Sequence, residues 1–295
     1  MTVVNITAAQ VKELRERTGA GMMECKKALM ESQGDMDLAI ENLRKSGIAK
    51  AGKKAGRIAA EGAIVIKTNG KQAAMVEINC ETDFVARDVN FTAFADAVAE
   101  TALQANEQDV EKLSAIKLQG FDKTVEEARS ELVSKIGENV QIRRIVISQS
   151  TAASVGTYLH GSRIGVLVEV DTDNTDLARD VAMHIAASKP IVVSPEDVSK
   201  DLVAKEKEIY IAQAATSGKP QEIIEKMVIG RLKKYLDEIS LVGQPFVKDP
   251  DTTVGSLLGK NRSKVLAFYR YEVGEGIEKV SEDFAEAVMS QVQGG

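Results

Sequence analysis

From Ile6 to about residue 45, apolar positions recur every three or four residues in three short runs separated by glycine and polar stops. Thr7 and Gln10 have capping-box spacing, Ile6 and Val11 can form the hydrophobic staple, and Val11 and Leu14 carry the stripe onward. Gly19 or Gly21 supplies the stop. A second helix runs from about Met22 to Ser32, with Cys25, Ala28 and Leu29 on one face. Asp35 caps a third, in which Met36, Ile40 and Leu43 repeat and which ends near Lys45. Gly47 to Arg57, rich in glycine and lysine, reads as a linker. The three helices are marginal as a free domain and would make a compact docking module.

After Arg57 the period changes. Ala63–Thr68, an Asn69-Gly70 turn and Gln72–Asn79 predict a β-hairpin. A helix follows with Phe91, Phe94, Val98 and Ala102 on one face. Another carries Val125, Ala128, Leu132 and Ile136 before Gly137, and Val140–Ser148 returns as a strand. The pattern then repeats: Val76–Val89 (VEINCETDFVARDV) aligns without gaps, 92 positions on, with Val168–Val181 (VEVDTDNTDLARDV). Each copy follows a turn and precedes an amphipathic helix, so the core is a two-fold duplication of an α+β unit. Shared residues, such as Ala86/Ala178, Arg87/Arg179 and Asp88/Asp180, read as fold requirements at the strand-to-helix corner. Copy one has Thr82-Asp83-Phe84-Val85 where copy two has Asn174-Thr175-Asp176-Leu177. An aromatic is therefore not needed to build the turn, and Phe84 is either core filler or an exposed wedge for a partner.

Ser194-Pro195-Glu196-Asp197 opens a further helix, striped by Val198, Leu202, Ile209, Ala212 and Thr216. Ser217–Pro220 turns the chain. Ile223/Ile224, Met227/Val228, Arg231 and Tyr235 mark a return helix, giving an antiparallel hairpin that is either self-contained or an interaction arm. Val265, Ala267, Tyr269, Tyr271 and Val273 alternate on one face of a late strand, and Phe284, Val288 and Val292 stripe a final helix over Glu282–Gln293.

Composition narrows the function. The 295 residues are 44% hydrophobic with a net charge of −6, so the chain is no uniformly basic nucleic-acid coat. No apolar run approaches the ~18 residues of a bilayer span, and Met1–Ala20 lacks a signal peptide's apolar middle. A reduced, cytoplasmic protein is expected. Cys25 and Cys80 form no CxxC pair, and only His160 and His184 are present as histidines, so neither a disulfide scaffold nor a His-rich metal centre can be built. No tryptophan and 4% aromatics argue against a stacking surface for single strands. Residues 1–57 hold 11 Lys/Arg and 7 Asp/Glu, net +4, against 27 and 37 in the rest, net −10. That shift marks a boundary.

Gly47-x4-Gly52-Lys53 nearly spells a phosphate-binding loop, but Lys54 replaces the hydroxyl that magnesium needs, and the segment follows a helix rather than a strand. No nucleotide binding by the chain is expected. The six bases from Arg44 to Arg57 read as a solvated linker or a steering patch. Met22 and Met23 point about 100° apart on a helix; either one is core and one marginal, or the pair is an adaptable partner contact. Cys25 reads as a structural thiol, His184 as a core-edge histidine and His160 as a turn residue with a free ring. No nucleophile elbow, metalloprotease helix or dinucleotide-binding glycine pattern is present, so enzymatic chemistry has no visible seat and no cofactor is expected.

Five ordered blocks carry a resemblance over essentially the whole chain: Leu14–Lys27 (LRERTGAGMMECKK), Asn79–Ala86 (NCETDFVA), His160–Leu167 (HGSRIGVL), Met183–Pro190 (MHIAASKP) and Val273–Lys279 (VGEGIEK). The chain resembles the bacterial elongation factor Ts family, the nucleotide exchange factors of elongation factor Tu. The resemblance implies a ubiquitin-associated-like three-helix docking domain with its basic linker over 1–55 and a first core subdomain over 56–150. It implies a second over 151–190 and 241–280, a coiled-coil hairpin over 191–240 and a C-terminal module over 281–295. It implies further that Arg15, Met22 and Met23 meet the nucleotide-binding domain of Tu. The Thr82–Val85 segment, with Asp83 and Phe84 at its tip, would act as the wedge that displaces the partner's magnesium. His160 would touch another Tu domain, and the C-terminal helix the GTPase. Ile229 stands where the family usually has an acid, which bears only on the hairpin, through which homodimerisation is conceivable.

Overall fold

The computed structural model describes residues 6–148, 151–215 and 220–278. Helices α1 (Ala8–Thr18), α2 (Met22–Glu31) and α3 (Met36–Lys54) come first. Thr7 caps α1 with the full capping box, and Asp35 caps α3 by accepting from Leu38 N at 3.0 Å. Val11, Leu14, Cys25, Ala28, Leu29 and Ala39 form their common core.

The expected linker is helix. α3 continues nine residues past Lys45 because Ala49, Lys50, Ala51, Lys53 and Lys54 are strong helix formers and the helix has a surface to lie on. Gly47 and Ala51 are buried where α3 crosses α7 (Val125–Ile136), with Ser130 O and Ser134 Cβ 3.8 and 3.9 Å from where a Gly47 Cβ would stand. Most bases of this segment stay exposed to solvent, as expected, but five of the six have partners. Arg44 pairs with Glu127, Lys45 with Glu41, Lys50 with Glu24 and Arg57 with Glu81, while Lys54 donates to Gly137 O.

Strands β1 (Glu61–Thr68), β2 (Ala73–Cys80) and β3 (Val140–Ile147) form one antiparallel sheet in the order β1-β2-β3. Between β2 and β3 lie α4 (Asp83–Ala86), α5 (Val89–Ala105), α6 (Val110–Ser114) and α7. Strands β4 (Ser154–His160), β5 (Ile164–Val170) and β8 (Val265–Glu272) form a second antiparallel sheet in the order β4-β5-β8. Between β5 and β8 come α8 (Thr175–Ser188), α9 (Lys200–Ala215), α10 (Gln221–Ile239), a short pair β6 (Pro245–Phe246) and β7 (Asp249–Thr253), and α11 (Val254–Lys260). The protein is thus mixed helix and sheet, α+β, with one topology used twice.

The sheets pack face to face. Met75, Ile64 and Val146 of the first meet Leu167, Tyr269 and Tyr271 of the second, and a Cβ on Gly165 would come within 2.5 Å of Ile64 Cγ2. The alternate residues Val76 and Ile78 face α5 and α7, while Val166, Val168 and Val170 face α8. With both faces covered, β2 is buried along its whole length, which is why six of its eight residues are apolar and its two polar ones, Glu77 and Asn79, are buried as well. The register shifts at Glu77/Ile78 in one sheet and at Glu169/Val170 in the other, equivalent positions of the repeat. The second bulge breaks the stripe expected on β8: Val265 and Phe268 pack towards α8, Tyr269, Tyr271 and Val273 towards the other sheet.

Ser194 caps only a 3-10 turn over Pro195–Asp197, and Ser199 starts α9 afresh by accepting from Leu202 N at 3.3 Å. The hairpin's buried stripe is Tyr210, Ala214, Ile224 and Val228, with Tyr210 and Tyr235 edge to face at 6.5 Å. Ile209 and Ala212, expected inward, lie exposed because the stripe is rotated by one residue. The turn over 216–219 and the final helix over 282–293 lie outside the described residues. No helix among the described residues is long and apolar enough to cross a membrane.

Candidate functional site

The two copies of the repeat are superposable tests of the strand-to-helix corner. Thr82 and Asn174 are equivalent, and each caps its helix by accepting from the backbone N–H three residues on, Val85 and Leu177 respectively. Val85 and Leu177 are both buried. Position 84 therefore points outward by construction, as Asp176 does in copy two. Phe84 is 83% exposed, so the core-filler alternative falls. Copy two continues as the single helix α8, whereas copy one breaks after Ala86 and restarts at Asp88, which accepts from the N–H groups of Asn90 and Phe91. The shared residues are consequently not one structural requirement: Asp88 is a cap, while its counterpart Asp180 sits within α8 and pairs with Lys248 at 2.5 Å.

α4 projects the only aromatic side chain of the corner into solvent beside a charged one. Asp83 pairs with Arg87 at 3.1 Å, with both side chains half or more exposed. Val89, 74% exposed, extends the apolar surface and carried no signal in the sequence. Beneath, Thr82 gives its N–H to Glu138 Oε2 at 3.0 Å and its hydroxyl to Glu138 Oε1 at 2.7 Å. In return Asn139 N donates to Glu81 Oε1 at 2.6 Å. Cys80 is buried, and desolvation, with Glu138 and Glu61 nearby, pushes its thiol up to about 12, so it is no nucleophile.

The remaining candidates lie on other elements. Met22 and Met23, at the start of α2, are 58% and 76% exposed, so neither is core and the reading with one buried Met is wrong. Arg15 is exposed on α1. His160 ends β4 exposed, its ring stacked on Tyr158 at 6.4 Å. Three separate elements thus present exposed side chains. A cleft of about 380 Å³ between α3 and α5/α7, lined in part by Leu43, Phe94 and Phe121, includes none of them. The near-miss phosphate motif lies inside α3, where the backbone N–H groups are committed to the helix. No cluster of three or more metal-ligating side chains occurs among the described residues.

Two buried polar centres lie within the core. Glu77, fully buried in β2, accepts from Arg143 at 3.0 Å, Arg144 at 2.5 Å, Asn79 at 3.2 Å and Gly274 N at 2.9 Å. Burial pushes its carboxyl up, but the Gly274 N–H and both guanidinium groups together hold it below the usual carboxylate range. Arg144 also lies 4.0 Å over the Tyr271 ring. The sequence signal was an acid amid the apolar run of β2, which its pattern alone does not explain. His184 is fully buried rather than at a core edge: its Nδ1 accepts from Val247 N at 3.2 Å, which leaves Nε2–H to donate to Gln244 Oε1 at 3.0 Å. Burial lowers its pKa against the opposing Gln244 bond. Gln244 in turn donates to Glu238 O at 2.7 Å, fixing the root of α10.

Comparison with known proteins gives the family. The family model described as "Elongation factor TS" matches residues 81–275. The elongation factor Ts of Thioalkalivibrio sulfidiphilus is 60% identical over 294 residues, covering 99% of this chain and 100% of that protein. Those of Alkalilimnicola ehrlichii and Idiomarina loihiensis are each 58% identical, covering 98% and 97% of this chain and 99% and 97% of theirs. With its duplicated core, its α4 corner and this similarity from end to end, the chain belongs to the elongation factor Ts family.

Proposed function

We propose that the protein is a translation elongation factor that binds elongation factor Tu carrying GDP, perturbs the magnesium and phosphate site, and so promotes GDP release for GTP to rebind. Family membership supports the partner, and the exposure of Phe84 on a capped, anchored corner carries the mechanism. An aromatic side chain held in water by a fold that does not need it is available for burial elsewhere. Fully burying a Phe is worth about 1.5–3 kcal/mol, or roughly 10- to 150-fold in affinity for whichever arrangement of Tu accepts it. Asp83 beside it brings a carboxylate to a site where magnesium and phosphate are held by charge.

No covalent chemistry is needed. If the factor favours one arrangement of the nucleotide site and GDP with magnesium another, each weakens the other's binding by the same factor. Equal affinity for both arrangements would shift nothing. In this reading the helices of residues 1–55 dock through Arg15, Met22 and Met23, His160 supports the second half of the core on another Tu domain, and the work takes place in the cytoplasm. Self-association through the hairpin is compatible with exposed Ile209, Ile211, Ile223 and Ile229. The experiment is release of fluorescent GDP from Tu by stopped flow. Acceleration by micromolar protein supports the reading, and an unchanged release rate overturns it.

A further inference from the structure

We propose that Glu138 is a positioning residue, which holds α4 in its binding geometry before the partner arrives; the inference rests on reading α4 as the exchange wedge. α4 has four residues, far below the length at which a helix is stable in water on its own. Its only buried side chain is Val85, with Ala86 partly buried against the same core, while Phe84 stands in solvent and Asp83 pairs only with Arg87 on the surface. Something else must hold the corner.

Glu138 does so by a two-pronged grip on the cap. Its two oxygens take the N–H and the O–H of Thr82, at 3.0 and 2.7 Å. A hydroxyl has one proton to give. Committing it to Glu138 turns a Thr82 lone pair towards Val85 N, 3.3 Å away, which is the capping bond itself. Glu138 follows Gly137 at the end of α7, and its neighbour Asn139 donates to Glu81 on the opposite side of the clasp. The second copy supplies the control. There the cap Asn174 leads into the fourteen-residue helix α8, and the returning segment bonds Asp171 and Thr172 instead, through Lys264 N to Asp171 at 2.6 Å and Thr172 Oγ1 to Ser263 Oγ at 2.7 Å, outside the cap. The glutamate grip on the cap belongs to the copy that carries the exposed aromatic.

Preordering an element lowers the cost of binding and leaves the bound state unchanged. Glu138→Ala should therefore raise the concentration of factor giving half-maximal GDP release about tenfold, equivalent to about 1.4 kcal/mol. The rate at saturation should stay within about twofold. Glu138→Gln keeps one acceptor and should fall between. Amide hydrogen exchange on the full-length protein gives a second readout: Val85 and Ala86 should exchange faster in both variants, while Val76 and Ile78 stay protected. Phe84→Ala, run alongside, separates the two ideas. If it slows release while both Glu138 variants match the parent in half-maximal concentration, the positioning role is wrong and the wedge stands. If Phe84→Ala changes nothing, the wedge reading fails, and the exchange data alone judge whether Glu138 orders α4. Parent-like exchange of Val85 and Ala86 in both variants overturns the proposal whatever Phe84 does.

Discussion

Replacing Glu77 with Gln tests whether the buried acid ties the two sheets together. The change keeps shape and volume but removes the charge that two arginines face. A Gln nitrogen would oppose the donor of Arg144 or of Gly274, so at least one present bond becomes a clash. Breaking a buried ion pair typically costs ~3–5 kcal/mol. Arg143 and Arg144 are about 30% exposed and can rehydrate, which places the cost at the lower end, about 3 kcal/mol. In a thermal melt that is a fall of roughly 6–12 °C. The pH dependence has a definite sign. The folded carboxyl titrates below its ordinary value of 4.5, so its contribution is complete above 4.5 and is lost as pH falls through the depressed folded value. The gap between parent and variant should thus be full at pH 7 and close in acid. A gap under 1 kcal/mol at pH 7, or one that does not narrow on acidification, would refute the reasoning.

Two further outcomes follow from the same structure. His184 is held neutral by burial, so the unfolded chain takes up its proton first, and stability should fall as pH drops below 6.5 towards the lowered folded value; His184→Asn should flatten that part of a parent-minus-variant melting profile, and an unchanged profile would count against the assignment. Met22→Ala with Met23→Ala should weaken binding to Tu about tenfold, as loss of two exposed apolar contacts allows, with a melting temperature within about 2 °C of the parent.

Much of the architecture was legible because it is local. Capping residues, the Asn69-Gly70 turn and the two alternating runs are each set within a few positions, and the 92-residue repeat exposed the duplication before any packing was known. What failed to show was set by tertiary contact. Gly47 and Gly52 looked like breaks, yet α3 runs through both: Gly47 lies against α7, where a small residue fits, and Gly52 sits on the exposed side of the same helix. The β8 stripe was misread at the bulge, since a single inserted residue flips every side chain beyond it. Phe84 was ambiguous in sequence and became plain only when Val85 proved to be the inward residue. Glu138 gave no signal at all: its partner lies 56 residues away, and only the fold brings Thr82 to it.

The most direct test of the account is the saturating rate of GDP release from Tu with the parent protein and with Phe84→Ala, measured by stopped flow beside thermal melts of both. Since the side chain is 83% exposed, its loss should leave the melting temperature nearly unchanged. Loss of contacts formed only in the nucleotide-free arrangement should slow stimulated release by about tenfold or more. A variant that melts well below the parent, yet releases GDP at the parent's saturating rate, would contradict the wedge and return Phe84 to a structural role.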